Sequence, residues 1–181
     1  MNPSKISKLS LFPLTAEVNS QGHLCIGGCD VVDLAKEFGT PLYLFDEFGL
    51  RHKCHEFKAE FSKYYSDVLV IYASKAFLNR ALALIFKQEG LGLDVVSGGE
   101  LSIANSVNFP VDKVYFHGNN KTLEELRLAL DWGVGQIVVD NFYELELLNG
   151  LAKEKGLLRT PCFVSPQGLT LTLTNILPQE P

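Results

Sequence analysis

Long apolar runs are missing from this 181-residue sequence. None reaches the roughly 18–20 residues that cross a bilayer as a helix. Lys5 and Lys8 near the N-terminus are not followed by an apolar run and a small-residue cleavage site, so the expectation is a cytoplasmic protein without a membrane partner. Basic runs are missing too. The 16 basic and 21 acidic residues are dispersed and give a net charge of −5, which leaves no electrostatic footprint for nucleic acid or an anionic lipid surface. Cysteine is scarce: Cys25, Cys29, Cys54 and Cys162 stand at scattered spacings, a pattern of reduced thiols, not of a disulfide framework. His23 lies near the Cys25 and Cys29 pair, but no second ligand pair follows at zinc-finger spacing, so these read as ordinary strand or turn cysteines. There is no Walker loop, and Gly98-Gly99 is not a dinucleotide fingerprint. The expected partner is a small molecule or another chain.

What is present is a globular composition. At 46% hydrophobic residues the chain can bury the core of one medium domain, or of one small domain and part of a larger one. Residues 1–13 read as a loose N-terminus. From Leu14 to Asp30 a weak alternation is broken by Asn19-Ser20-Gln21-Gly22 and by Gly27-Gly28, which suits two short strands and a turn. Val31 to Phe38 reads as a short helix closed by Gly39, and Pro41 to Phe45 as a strand. Asp46 is placed to cap a helix of about four turns, whose apolar face is Leu50, Cys54, Phe57, Phe61 and Tyr64.

Beyond that helix a repeat begins. Apolar runs start at Val68, Gly92, Val114, Gln136 and Pro161, at intervals of 24, 22, 22 and 25 residues. Each of these intervals holds one helix. Thr122 with Glu125 makes a capping box before Leu123, Leu126 and Leu130, and Gly133 ends that helix; Asn141 with Glu144 opens the next, and Gly156 ends it. Strands of four to six residues alternating with helices pair in parallel, because each crossover returns the chain to the same end of the sheet. Val68-Leu69-Val70-Ile71 and Ile137-Val138-Val139 are apolar on both faces, as a helix-covered sheet requires. The fold class is therefore α/β, with two architectures open: a doubly wound sheet or a (β/α)8 barrel.

Either architecture binds ligands at the carboxyl ends of its parallel strands. The runs end in Tyr72-Ala73-Ser74-Lys75-Ala76, Asp94-Val95-Val96-Ser97, Phe116-His117-Gly118-Asn119-Asn120 and Asp140-Asn141. A lysine just past a buried strand is where desolvation makes an amine nucleophilic, as carbonyl chemistry needs; a solvated loop lysine is the competing reading of Lys75. Asp94 could stabilise an iminium or orient a cofactor, or could simply start a helix. Glu100 forms a capping box with Ser97 and needs no catalytic explanation. Position alone makes His117 a polar rim residue before it makes it a proton shuttle or a stacking partner.

These residues carry a resemblance. Phe38-Gly39-Thr40-Pro41-Leu42-Tyr43, Tyr72-Ala73-Ser74-Lys75-Ala76, Gly92 to Leu101 and Phe116 to Lys121 closely resemble the diaminopimelate decarboxylase family, of the alanine-racemase-like class of pyridoxal-phosphate enzymes. The similarity runs from about residue 14 to 166, with four motifs in order. It implies that Lys75 matches the Schiff-base lysine on the first strand of a pyridoxal-5'-phosphate-binding (β/α)8 barrel, that Asp94 lines the cofactor pocket, and that His117 belongs to the cofactor-binding set. Residues 14–45 would be a segment of a second, β-rich domain and residues 46–166 a partial barrel. The implied reaction removes the α-carboxylate of meso-diaminopimelate as carbon dioxide, with the pyridinium as electron sink, and gives L-lysine. The intact family member is expected to be a homodimer. An ornithine- or arginine-type decarboxylase and a non-catalytic cofactor-binding or interaction fragment are the alternatives.

The sequence also departs from the family. Five strands can be counted, and a barrel of eight does not close with five. The family's glycine-rich phosphate loop, acidic partner of the pyridine nitrogen and substrate-binding arginines have no counterpart. Residues 167–181 alternate like a strand and match nothing in the barrel. One permitted coding of them, regrouped in another frame, reads Gly-Val-Asp-Pro-His-Thr-His-Lys-Tyr-Ile-Thr-Thr-Gly, which resembles the family's continuation. Our hypothesis is a reading-frame shift near Pro166, and an isolated chain of this kind is expected to be inactive.

Overall fold

The computed structural model describes residues 11–157, 162–164 and 171–172. It divides into two compact units, with the division along the chain between Val68 and Leu69, so the helix that follows Asp46 groups with the residues before it.

In the first unit β1 (Glu17–Val18), β2 (Leu24–Ile26) and β3 (Cys29–Asp30) form an antiparallel sheet, three short strands where the sequence suggested two. The second turn explains the difference. Gly27 and Gly28 both have positive φ, 60° and 78°, which is what a two-residue hairpin needs to match the strand twist. The first turn is held by Asn19, whose side-chain oxygen accepts the N–H groups of Gln21 and His23. Asp30 then caps α1 (Val31–Phe38) by accepting the Val32 N–H at 2.8 Å, and its other oxygen takes the His23 ring at 2.8 Å and the Asn19 amide at 2.7 Å. Burial pushes the Asp30 carboxyl up, but the hydrogen bonds from His23, Val32 and Asn19 outweigh it and hold the group below its ordinary value. His23 is thus committed to Asp30, Cys25, Cys29 and Cys54 are reduced thiols, and among the described residues no cluster could hold a metal.

Two expectations for this unit fail. Residues 41–45 are not a strand, because a strand exists only as a paired element and no described segment pairs with them. The helix α2 (Glu47–Ser62) forms as expected, but Asp46 caps it in backbone geometry without a side-chain bond. Of its expected buried face only Cys54 is buried, while Phe57, Phe61 and Tyr64 are exposed. Helical periodicity identifies a face that can be covered; covering it takes a partner surface.

The second unit is a sheet of strands β4 (Ile71–Ala73), β5 (Gly92–Val95), β6 (Val114–Phe116), β7 (Gln136–Val139), β8 (Cys162–Val164) and β9 (Leu171–Thr172), in that order. The first five are parallel and β9 is antiparallel to β8. Strict chain order decides between the two architectures: a doubly wound sheet reverses order at a switch point, whereas a barrel adds each strand beside the last. This is an incomplete (β/α)8 barrel. Beyond Leu171–Thr172, the anomalous segment 167–181 lies outside the described residues.

The helices α3 (Arg80–Gln88), α4 (Gly98–Ser106), α5 (Leu123–Trp132) and α6 (Phe142–Glu154) follow the first four strands. Leu93, Val95, Val114, Phe116, Ile137 and Val139 point into the core with Leu82, Phe86, Leu101, Leu126 and Leu148 from the helices. The alternate strand positions, among them Asp94, Tyr115 and Val138, are only partly covered. The reading of the strands as buried on both faces is therefore corrected: one face packs on helices and the other borders the barrel interior, which five strands do not enclose. The first strand also starts later than expected, at Ile71, and Leu69 and Ile71 are each more than a third exposed, Ile71 on the row of Ala73 and Asp94 that borders the unenclosed interior. Gly135 marks a close backbone approach, since a Cβ there would lie 2.6 Å from the Asp112 carbonyl oxygen.

Candidate functional site

The carboxyl ends of β4, β5 and β6 carry the three residues singled out from the sequence. Lys75 lies in a single 3-10 turn, Ser74–Ala76, immediately after β4. The turn is stapled by Tyr72, whose hydroxyl donates to the Phe77 carbonyl at 2.8 Å while its ring stacks on Phe86 at 4.0 Å between centroids. Ser74 is buried, 1% exposed, and Lys75 is exposed. The desolvation anticipated for Lys75 is therefore not supplied by the described residues; what they supply is an accessible amine at the carboxyl rim.

Asp94 is in register with Ala73 on one side and Tyr115 on the other, so it stands on the interior-facing row one strand over from Lys75's strand. His117, two residues past Tyr115, falls on the same face. Its Nδ1 is 3.8 Å from Asp94 Oδ1, with the side chains 44% and 28% exposed. That distance lets charges interact but exceeds a hydrogen bond, and Asp94 Oδ1 is a buried atom without a hydrogen-bond partner. The His117 backbone N–H donates to Val95 O at 2.8 Å. Gly118 follows with φ of 113°, and a Cβ on it would lie 3.2 Å from Val96 O, so the loop passes tightly over the end of β5. The structure brings Asp94 and His117 together and sets Lys75 at the same rim.

Three helix starts form the wall of this rim, and each follows one rule. Ser97, Thr122 and Asn141 accept the N–H of Glu100, Glu125 and Glu144, as the capping pattern predicts. The glutamates reach back differently. Glu125 closes a full capping box on the Thr122 N–H at 2.9 Å and also accepts the Gly98 N–H of α4 at 2.7 Å. Glu100 and Glu144 reach one residue further, to the N–H groups of Val96 at 2.8 Å and Asp140 at 3.1 Å. Burial pushes the Glu125 carboxyl up, but its bonds to Thr122 and Gly98 and the nearby Lys121 charge overcome this and lower it.

Sequence reasoning missed Lys121. It was legible only as the last letter of a motif, yet its side chain is fully buried and lies 2.7 Å from Glu144 Oε1, itself 5% exposed. The contact is ionic without the alignment of a hydrogen bond; the lysine's aligned bonds go to the carbonyls of Gly118 and Val138, the latter at 2.8 Å. Nothing in apolar periodicity marks a lysine before a helix cap as buried.

Comparison with known proteins adds to this geometry. Residues 49–165 match the family model described as pyridoxal-dependent decarboxylase, pyridoxal binding domain. The diaminopimelate decarboxylase of Bacillus subtilis (strain 168) is 50% identical over 142 residues, covering 78% of this chain and 32% of the relative. That of Bacillus methanolicus is 49% identical over 142 residues, covering 78% of this chain and 33% of the relative. Among solved structures, diaminopimelate decarboxylase from M. jannaschii in co-complex with L-lysine superimposes with a TM-score of 0.74 at 35% identity, over 83% of this chain and 35% of that one. The chain spans about a third of the length of the curated relatives it matches.

Proposed function

We propose a function from one premise: this chain belongs to the pyridoxal-dependent decarboxylase family, through its pyridoxal-binding domain. The residues at the rim fit pyridoxal phosphate on three counts. Lys75 offers an exposed amine with no partner among the described residues, Asp94 offers a buried oxygen that lacks a donor, and His117 offers a half-exposed aromatic face. On this reading the Lys75 amine holds the cofactor's carbonyl carbon, Asp94 takes a hydrogen bond or balances positive charge beside it, and His117 lines the mouth. When bound, the cofactor supplies an electron sink for the pair released as a carboxylate leaves as carbon dioxide.

The reading extends to the substrate. We assign the intact protein to decarboxylation of meso-diaminopimelate to L-lysine, in the cytoplasm and as a homodimer, because diaminopimelate decarboxylases are the relatives matched at 50% identity and a related structure holds L-lysine. The single observation that carries it is Lys75 at the carboxyl rim, with Asp94 at the end of the next strand and His117 just past the end of the one after. The isolated chain is expected to release no carbon dioxide, since β4 is an open sheet edge and Leu69, Ile71 and Phe77 are left exposed. The test is a chimera that joins residues 1–165 of this chain to the remainder of the Bacillus subtilis relative. Release of carbon dioxide from meso-diaminopimelate that is lost on Lys75→Ala supports the reading of this chain's part of the site; a folded chimera that releases none rejects it.

A further inference from the structure

The buried Lys121 ammonium has no part in the chemistry proposed above, yet it sits where the loop bearing His117 is shaped. An ammonium has three N–H donors and no acceptor, and here it has three oxygen partners: the carbonyls of Gly118 and Val138 and the Glu144 carboxylate. It also lies over the Phe116 ring, 5.6 Å from the centroid. These partners come from three places: the loop after β6, the strand β7, and the first turn of α6. One side chain thus ties the Gly118 peptide to the neighbouring strand and helix.

The consequence falls on His117. Its own N–H is fixed by Val95 O at 2.8 Å, and one peptide beyond its far side Lys121 fixes the Gly118–Asn119 peptide through Gly118 O. Gly118, at φ 113° and close over Val96 O, leaves the backbone between these two anchors little room. With the backbone held just before His117 and again at Gly118 O, the Cα–Cβ bond that carries the imidazole is kept on the side of Asp94. We propose that Lys121 is a positioning residue, paired with Glu144, that holds His117 over Asp94 at the mouth of the barrel. That this arrangement serves cofactor binding rests on the functional reading above; the positioning itself does not.

The test follows the His117 side-chain resonance by proton–carbon NMR in the full 181-residue chain, assigned by its loss in His117→Ala, at a pH where imidazole is neutral. In the native chain, Asp94→Asn is expected to shift that resonance. In Lys121→Met/Glu144→Gln, which removes both buried charges together, the same Asp94→Asn change is expected to leave it unmoved. Lys121→Arg, which keeps the charge, is expected to restore part of the response. Glu144→Gln alone leaves the lysine its two carbonyls and is expected to reduce the response by half or more. A full response to Asp94→Asn in Lys121→Met/Glu144→Gln or in Glu144→Gln, with the fold intact, overturns the proposal. So does unfolding of both, since the pair would then hold the domain and not the ring, and so does a native His117 resonance that ignores Asp94→Asn. None of these readouts involves pyridoxal phosphate, so failure of Lys75 to take up the cofactor would reject the functional reading and leave this one standing.

Discussion

Asp94 Oδ1 on β5 and His117 Nδ1 just past the end of β6 stand 3.8 Å apart, and the oxygen accepts no hydrogen bond. A part-buried carboxylate oxygen without a donor costs stability. Asp94→Asn is therefore expected to leave stability unchanged or raise it by up to about 1 kcal/mol, while weakening uptake of pyridoxal phosphate about tenfold, the worth of one hydrogen bond to a charged group. Urea denaturation and an absorbance titration with the cofactor check the two halves separately. A loss of stability with unchanged uptake would assign Asp94 a structural role only.

Lys121 and Glu144 form a buried pair with side-chain exposures of 0% and 5%. Removing one partner strands the other's charge, so Lys121→Met is expected to cost about 3–5 kcal/mol. Lys121→Met/Glu144→Gln should recover much of that loss, because no unpaired charge remains. Denaturation midpoints of the two variants measure the difference, and equal losses in both would contradict the pairing.

Glu125 gives a pH dependence with a definite sign. Its folded carboxyl is held below the unfolded value of 4.5. A depressed carboxyl stabilises the fold above its unfolded value, and the contribution fades as pH falls through the folded one. Stability should drop as pH falls below 4.5 and through the lower folded value, and Glu125→Gln should flatten that part of the profile. An unchanged acid limb in the variant would remove Glu125 from the account.

Much of this architecture was legible in the sequence because helix starts and strand spacing are local. The runs expected at Gly92, Val114 and Gln136 are strands that begin at those residues, and Ser97, Thr122 and Asn141 cap helices as their spacing to a glutamate implied. What local pattern could not supply was context. Residues 41–45 have strand composition but no described pairing partner, and Phe57 and Phe61 have helical spacing but no cover. Lys121 reads as surface charge until the fold brings Glu144 to it. Lys75, Asp94 and His117 were picked out by position at strand ends, yet the face they share depends on the register between strands.

The frame-shift hypothesis has its own test. The family match stops at residue 165, one residue before the proposed shift. Sequencing the genomic DNA across codons 160–181 is expected to show a family-like continuation in an alternative frame; its absence from both alternative frames would refute the shift.

The amine of Lys75 is the point on which the functional account turns. The direct measurement is to incubate the 181-residue chain with pyridoxal phosphate, reduce with borohydride, and map the phosphopyridoxyl group by peptide mass spectrometry. The account predicts modification concentrated on the peptide that contains Lys75 and lost from that peptide in Lys75→Ala. Label spread evenly over the exposed lysines, with the Lys75 peptide no richer than those of Lys36, Lys53 or Lys63, would contradict it.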